Sequence, residues 1–179
     1  NLENVQVITA DMNDFDTEKK FNRVVSIEMF EHMRNYQKLL SRISNFLESE
    51  GTLFVHIFTH EYLAYPFEDQ GDGDWMAREF FSGGMMPSHN LLLYFQDDLK
   101  ISAVWRLSET HYEKTYLAWL QKMNQNRREV LDLFADIYGK ENAKIWFQRW
   151  RIFFMSCEQL FGYNRGREWG VSHYLFLKP

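Results

Sequence analysis

The chain has 179 residues, a length that suits one domain and is short for two. Hydrophobic residues make up 45% and aromatic residues 17%, enough apolar material for a packed core, which excludes disorder as a whole-chain description. No apolar run reaches the roughly 18 residues that a membrane-spanning helix needs, and a net charge of −5 argues against a nucleic-acid binder.

In chain order, residues 5–10 (VQVITA) form a β-branched run that predicts a strand, ended by the polar stretch 11–14. Phe21–Ile27 (FNRVVSI) predicts a second strand, with Val24 and Val25 apolar enough for burial on both faces. Residues 36–47 carry Leu39, Leu40, Ile43 and Leu47 at helical spacing, with Gly51 just beyond as a stop. Residues 52–58 (TLFVHIF) predict a third strand, which completes a βαβ unit. Residues 61–89, with Pro66, Gly71, Gly73, Gly83, Gly84 and Pro87, read as a long binding loop or lid. Residues 99–107 predict another strand, 112–161 two or three aromatic-rich helices broken near Gly139, and 168–177 a closing strand. The chain starts on Asn1 and enters a strand pattern at once, so it is expected to be part of something longer. The single cysteine, Cys157, excludes a disulfide framework and suits a reducing compartment, expected to be the cytoplasm.

The strongest constellation is Glu28-Met29-Phe30-Glu31-His32, which directly follows the second strand. In an open α/β sheet the carboxyl ends of the strands form the ligand crevice. Were the chain helical here, Glu28, Glu31 and His32 would share a face. Two carboxylates beside an imidazole exchange protons near neutral pH. The same residues would also make a helix start with an exposed Glu28–His32 ion pair. Metal binding is not expected. Glu28-x-x-Glu31-His32 misses one ligand of the inverted zincin pattern, and His56 and His60 leave a strand. Asp69, Asp72 and Asp74 lack calcium-loop spacing, with Phe80 where the bidentate Glu belongs. Tyr112, Trp119, Trp146, Trp150, Phe153 and Phe154 form an aromatic population that is either plain core or a wall for a cation. Cys157, among Phe154, Met155 and Phe161, reads as a buried inert thiol.

Residues 24–36 (VVSIEMFEHMRNY), 80–88 (FFSGGMMPS), 111–119 (HYEKTYLAW) and 150–163 (WRIFFMSCEQLFGY) resemble the cyclopropane-fatty-acyl-phospholipid synthase superfamily of S-adenosylmethionine-dependent transferases. Residues 27–33, Asp74-Trp75, 91–95 (LLLYF) and 161–169 (FGYNRGREW) are similar to its coclaurine N-methyltransferase branch, so the resemblance covers essentially the whole chain. It implies an α/β fold: the C-terminal part of a Rossmann-like seven-stranded methyltransferase sheet in the order 3-2-1-4-5-7-6. Residues 1–179 would then be a partial domain carrying strands three to seven, with an α-helical cap over 112–161. The resemblance further implies S-adenosylmethionine as cofactor, with Asp11 and Met12 at its adenine and Ile27 beside its methionine portion. Glu28, Glu31 and His32 correspond to the acid/base cluster around the methyl-accepting nitrogen. His56 and Tyr112 match positions that, with Glu31, hold a bicarbonate base in the cyclopropane synthases. Cys157 matches the position designated the active-site cysteine of the lipid enzymes, and Phe154 falls in the aromatic roof over the substrate.

The family's glycine-rich cofactor loop has no match here, since Gly71-Asp72-Gly73 lies in the long loop. The 179 residues alone are therefore expected to grip the cofactor poorly and to be inactive, and open strand edges to invite pairing, a homodimer being one outcome. The expected activity is N-methylation of a small-molecule amine of the benzylisoquinoline alkaloid type. The alternatives are a cyclopropane synthase acting on unsaturated phospholipid acyl chains and a non-catalytic chain that binds a partner.

Overall fold

The computed structural model describes residues 3–107 and 110–179. Four strands make its main sheet: β1 (Phe21–Ile27), β2 (Leu47–His60), β5 (Lys100–Arg106) and β6 (Trp169–Leu177), in the order β1-β2-β6-β5. β1 and β2 run parallel and are joined by helix α1 (Tyr36–Phe46), whereas β6 runs antiparallel to both β2 and β5. This is the 4-5-7-6 portion of the order that the resemblance implies.

The period of two along β2 sorts its residues onto two faces. Leu53, Val55 and Ile57 are fully buried and pack with Leu39, Leu40 and Ile43 of α1 and with Tyr174 and Phe176 of β6. His56 and Phe58 take the opposite face, where Phe58 joins Phe153, Cys157 and Phe161 in a second cluster. α3 (His111–Gln125) and α5 (Ala143–Gly162) lie over this face and α4 (Arg127–Tyr138) packs on α5, so the span expected as a helical cap is helical. Gly139, with φ +89°, makes the turn between α4 and α5, a backbone that side-chain-bearing residues rarely adopt.

Local signals set α1 well. Asn35 caps it by accepting a hydrogen bond from the Lys38 amide at 3.0 Å, and the apolar residues form one stripe. The helix ends at Phe46, within one residue of the expected end; β2 follows directly and already contains Gly51, and Glu50, near its start, adopts a left-handed φ of 60°. The long loop is not structureless either. It contains the short pair β3 (Tyr65–Pro66) and β4 (Met85–Met86), and helix α2 (Trp75–Phe80) between them. Phe80 stacks on Phe153 of α5 with ring centres 4.4 Å apart, which ties the loop to the cap.

Two expectations at the front fail. Residues 5–10 are not a strand: no described strand lies beside them to complete a ladder, and Val7 is 87% exposed. A β-branched run has extended preference, but a strand needs a partner for its amides and carbonyls. Val25 is not buried but 59% exposed: it shares a face of β1 with Phe21, Arg23 and Ile27, all exposed, so that face is not covered along this strand.

Candidate active site

The parallel register sets Ile27 beside His56, so the residue after β1 is delivered to the middle of β2. That residue is Glu28. Its amide donates to the His56 carbonyl at 3.0 Å, and its φ of 51° is left-handed, a conformation that costs a non-glycine residue roughly 1–2 kcal/mol. The expected shared helical face therefore does not form, and only Phe30–His32 make a single 3-10 turn. Instead Glu28 turns to β2 and the cap. Its Oε1 lies 3.1 Å from His56 Nε2 and accepts a hydrogen bond from the Tyr112 hydroxyl at 2.8 Å. Tyr112 stands in the first turn of α3, so three separate elements meet at one carboxylate.

The row continues across the sheet. His56 Nε2 lies 2.9 Å from the Tyr112 oxygen, and His56 Nδ1 lies 2.8 Å from Nε2 of His173, its register partner on β6. With Tyr112 donating to Glu28, His56 Nε2 must carry a proton; its Nδ1 then accepts from His173 Nε2–H. Burial pulls both imidazoles below their ordinary pKa, His56 with a further contribution from His173. Burial raises the Glu28 carboxyl, and the Tyr112 hydrogen bond partly offsets the rise.

Glu31 is the unusual group. It is 2% exposed, and its Oε2 has no hydrogen-bond partner. Burial, and then the charge of Glu28, push its carboxyl up to about 8, so it holds a proton at neutral pH. Gly84 makes room for it: a Cβ there would stand 2.9 Å from the Glu31 carbonyl oxygen. His32 is 48% exposed, with Nε2 3.8 Å from Glu31 Oε1 and its ring stacked on Phe81 at 6.5 Å. The charges of both carboxylates also reach Tyr112 and Tyr116.

The aromatic groups close over this face. Phe161 meets Tyr112 edge-on at 5.0 Å and stacks on Tyr116 at 5.9 Å. A cavity of about 120 Å³ lies behind them, lined by Phe58, Phe67, Phe81, Tyr116, Cys157 and Phe161 among others. That is the scale of a site for one aromatic ring. Burial pushes the Cys157 thiol up to about 12, against a lowering by its hydrogen bond with Tyr116, so it is a neutral thiol at physiological pH rather than a nucleophile. Phe154 lines a different cavity, about 500 Å³ between α3, α4 and α5, together with Trp119, Met123 and Trp150.

Of the three cofactor candidates, Ile27 ends the edge strand β1, whereas Asp11 and Met12 lie in the segment before it. Ile27 is 62% exposed, and Met12 packs on the main core and lines a small hollow with His32 and Met33. Asp11 Oδ1 accepts from the amide and side chain of Asn13 at 2.7 and 2.9 Å, which orients the carboxylate. An apolar wall beside an oriented acceptor suits an adenosine, whose face is apolar and whose edge donates. Among the described residues, no group of three or more His, Cys, Asp or Glu side chains is placed to hold a metal ion, and no helix is long and apolar enough to cross a membrane.

Two participants escaped the sequence reading. His173 is 117 positions from His56, and only the β2–β6 register joins them. Tyr116 was within reach, being one helical turn beyond Tyr112 on the same face.

Residues 1–167 match the family model described as mycolic acid cyclopropane synthetase. The (S)-coclaurine N-methyltransferase of Papaver somniferum is 39% identical over 180 residues, covering 99% of this chain and 51% of that protein. The pavine N-methyltransferase of Thalictrum flavum subsp. glaucum is 35% identical, with the same coverage of each. The crystal structure of coclaurine N-methyltransferase bound to N-methylheliamine and S-adenosylhomocysteine superposes with a TM-score of 0.89 at 37% identity, over 98% of this chain and 54% of that one. The chain spans about half the length of the curated relatives it matches.

Proposed function

The chain belongs to the mycolic acid cyclopropane synthetase family, and from that membership and its site we propose that it forms the substrate-side half of an S-adenosylmethionine-dependent N-methyltransferase acting on a cyclic, aromatic alkaloid amine. The observation that carries this reading is the Glu28–Glu31 pair beneath an aromatic roof. Two carboxyl groups are held up in pKa by burial, and among the described residues neither forms an ion pair with a Lys or Arg that would offset its desolvation. An ammonium group entering there would meet Glu28 as its base and Glu31 as its hydrogen-bonding neighbour, with Tyr116 and Phe161 offering ring faces to the positive charge. Similarity to coclaurine and pavine N-methyltransferases supports an alkaloid as the acceptor.

Methyl transfer requires a nitrogen with a free lone pair, held in line and away from water. Glu28 takes the ammonium proton. Glu31, neutral at the start, holds the nitrogen by hydrogen bonding, and His32 at 3.8 Å links it to solvent. Asp11, Met12 and Ile27 would hold the adenosine and flank the methionine of the cofactor, which supplies the electrophilic methyl group. Cys157 shapes the aromatic cavity as a neutral side chain.

The lipid-alkylating reading requires His56 and Tyr112 to hold a bicarbonate anion. Here both are engaged by Glu28 Oε1, so an incoming anion would meet a carboxylate in place of two donors. The deciding experiment gives the full-length protein methyl-labelled S-adenosylmethionine with either a tetrahydroisoquinoline secondary amine or vesicles of unsaturated phospholipid. Label on the amine nitrogen is expected. Label in the acyl chain, or in neither, would overturn the proposal.

A further inference from the structure

Four titratable groups stand in a row from the site to the next-to-last strand of the sheet. Glu28 Oε1 lies 2.8 Å from the Tyr112 oxygen, that oxygen 2.9 Å from His56 Nε2, and His56 Nδ1 2.8 Å from His173 Nε2. Every link is a hydrogen bond, and each of the inner members can donate on one side while accepting on the other. We infer that this row is a proton wire with His173 as its outlet, which empties Glu28 of the proton taken from the amine. Its use in turnover rests on the methyl-transfer reading above.

The proton count closes. With Glu28 protonated, its O–H donates to the Tyr112 oxygen, Tyr112 O–H to His56 Nε2, His56 Nδ1–H to His173 Nε2, and His173 Nδ1–H to water. One shift along the row breaks the Glu28 O–H bond and leaves Tyr112 with a new hydroxyl proton. Both imidazoles change from the Nδ1–H to the Nε2–H tautomer, and one proton passes to water. The end state is an ionised Glu28 accepting from Tyr112, the arrangement that the structure holds. Neither ring carries a net charge before or after, which suits two imidazoles whose burial disfavours protonation.

The surroundings fit such a role. The titratable groups that face the two rings are Glu28 at the end of β1, Tyr112 on α3, and each ring itself on β2 and β6. Phe54 packs edge-on to His173 at 4.9 Å, and Trp105 of β5 is its register partner; neither titrates. His173 is partly exposed and Trp105 46% exposed, so this end of the row reaches water. His173 touches no substrate in this scheme and is a positioning residue that acts through His56.

Two measurements test it. In the full-length protein, His173→Gln keeps an N–H donor for His56 Nδ1 but cannot pass a proton on. It is expected to lower kcat on the order of tenfold in dilute buffer, a modest share of what positioned proton transfer contributes, with the amine KM unchanged. Added imidazole should restore the rate, and the unaltered protein should show no such buffer dependence. A rate equal to the parent's, or a loss that imidazole does not restore, would overturn the outlet. Independently of activity, nitrogen NMR of the ring atoms should find both His56 and His173 as Nε2–H tautomers when Glu28 is ionised. Both should exchange to Nδ1–H at the pH midpoint of the Glu28 carboxyl. Rings that keep their tautomers through that titration would overturn the wire. If Glu28→Gln retained full turnover while the two rings of the unaltered protein still switched together at the Glu28 midpoint, the amine-base reading would fail and the wire would stand.

Discussion

Glu28 and Glu31 repel each other: the charge on Glu28 adds to burial in holding the Glu31 carboxyl at about 8. In the unfolded chain Glu31 ionises near its ordinary value of 4.5, whereas the native state keeps the proton up to about 8. Between those values the folded chain binds more protons, so its stability falls as pH rises, with the contribution intact below about 4.5 and lost by about 8. At about 1.4 kcal/mol per pH unit the loss amounts to a few kcal/mol. Thermal melts of the parent chain and Glu31→Gln should therefore converge at pH 5, with the variant the more stable at pH 8.5. Parallel curves across that range would show that Glu31 titrates normally.

Tyr112→Phe removes the hydrogen bond that favours an ionised Glu28. The Glu28 carboxyl should then rise further, so the acid limb of the kcat profile should move to higher pH in the variant. The magnitude of the rate loss at neutral pH should be about tenfold, the small end of proton-transfer effects. An unmoved limb would mean that Tyr112 does not tune this carboxylate.

Cys157→Ala should leave methyl transfer within a few-fold of the parent, because its thiol, pushed up to about 12, is neutral. The native thiol should also resist iodoacetamide until the protein unfolds. The loss of a small buried side chain should cost about 1 kcal/mol of stability. A rate loss of about a hundredfold or more in the alanine variant, on the scale of a lost acid–base group, would make Cys157 a participant.

The fold was largely legible because its main elements carry strong local patterns. The Leu39–Leu40–Ile43 stripe, the apolar run of β2 and the aromatic repeats of α3 and α5 each identify an element by period alone. The run at 5–10 misled because extended preference belongs to the residues, whereas a strand belongs to a pair. The site was half legible. Clustering picked out Glu28, Glu31 and His32, but not the backbone that holds them, which is a left-handed residue followed by a single 3-10 turn and not one helical face. Their actual meeting depends on the left-handed backbone at Glu28 and on the register that sets Ile27 beside His56. His173 was out of reach, since nothing near residue 173 points to residue 56. Phe154 shows the reverse limit: helical spacing placed it on the aromatic cap, and its side chain lines the cavity on the far side of that layer.

The central claim is that the Glu28–Glu31 pair receives and deprotonates an amine. Its most direct test is kcat for a tetrahydroisoquinoline secondary amine in the full-length protein carrying Glu28→Gln or Glu31→Gln, each isosteric and unable to ionise. A fall of about 10²–10⁴ in kcat is predicted for Glu28→Gln, with a smaller loss for Glu31→Gln, whose amide keeps a hydrogen-bonding partner for the nitrogen. Turnover within a few-fold of the parent in both variants would contradict it.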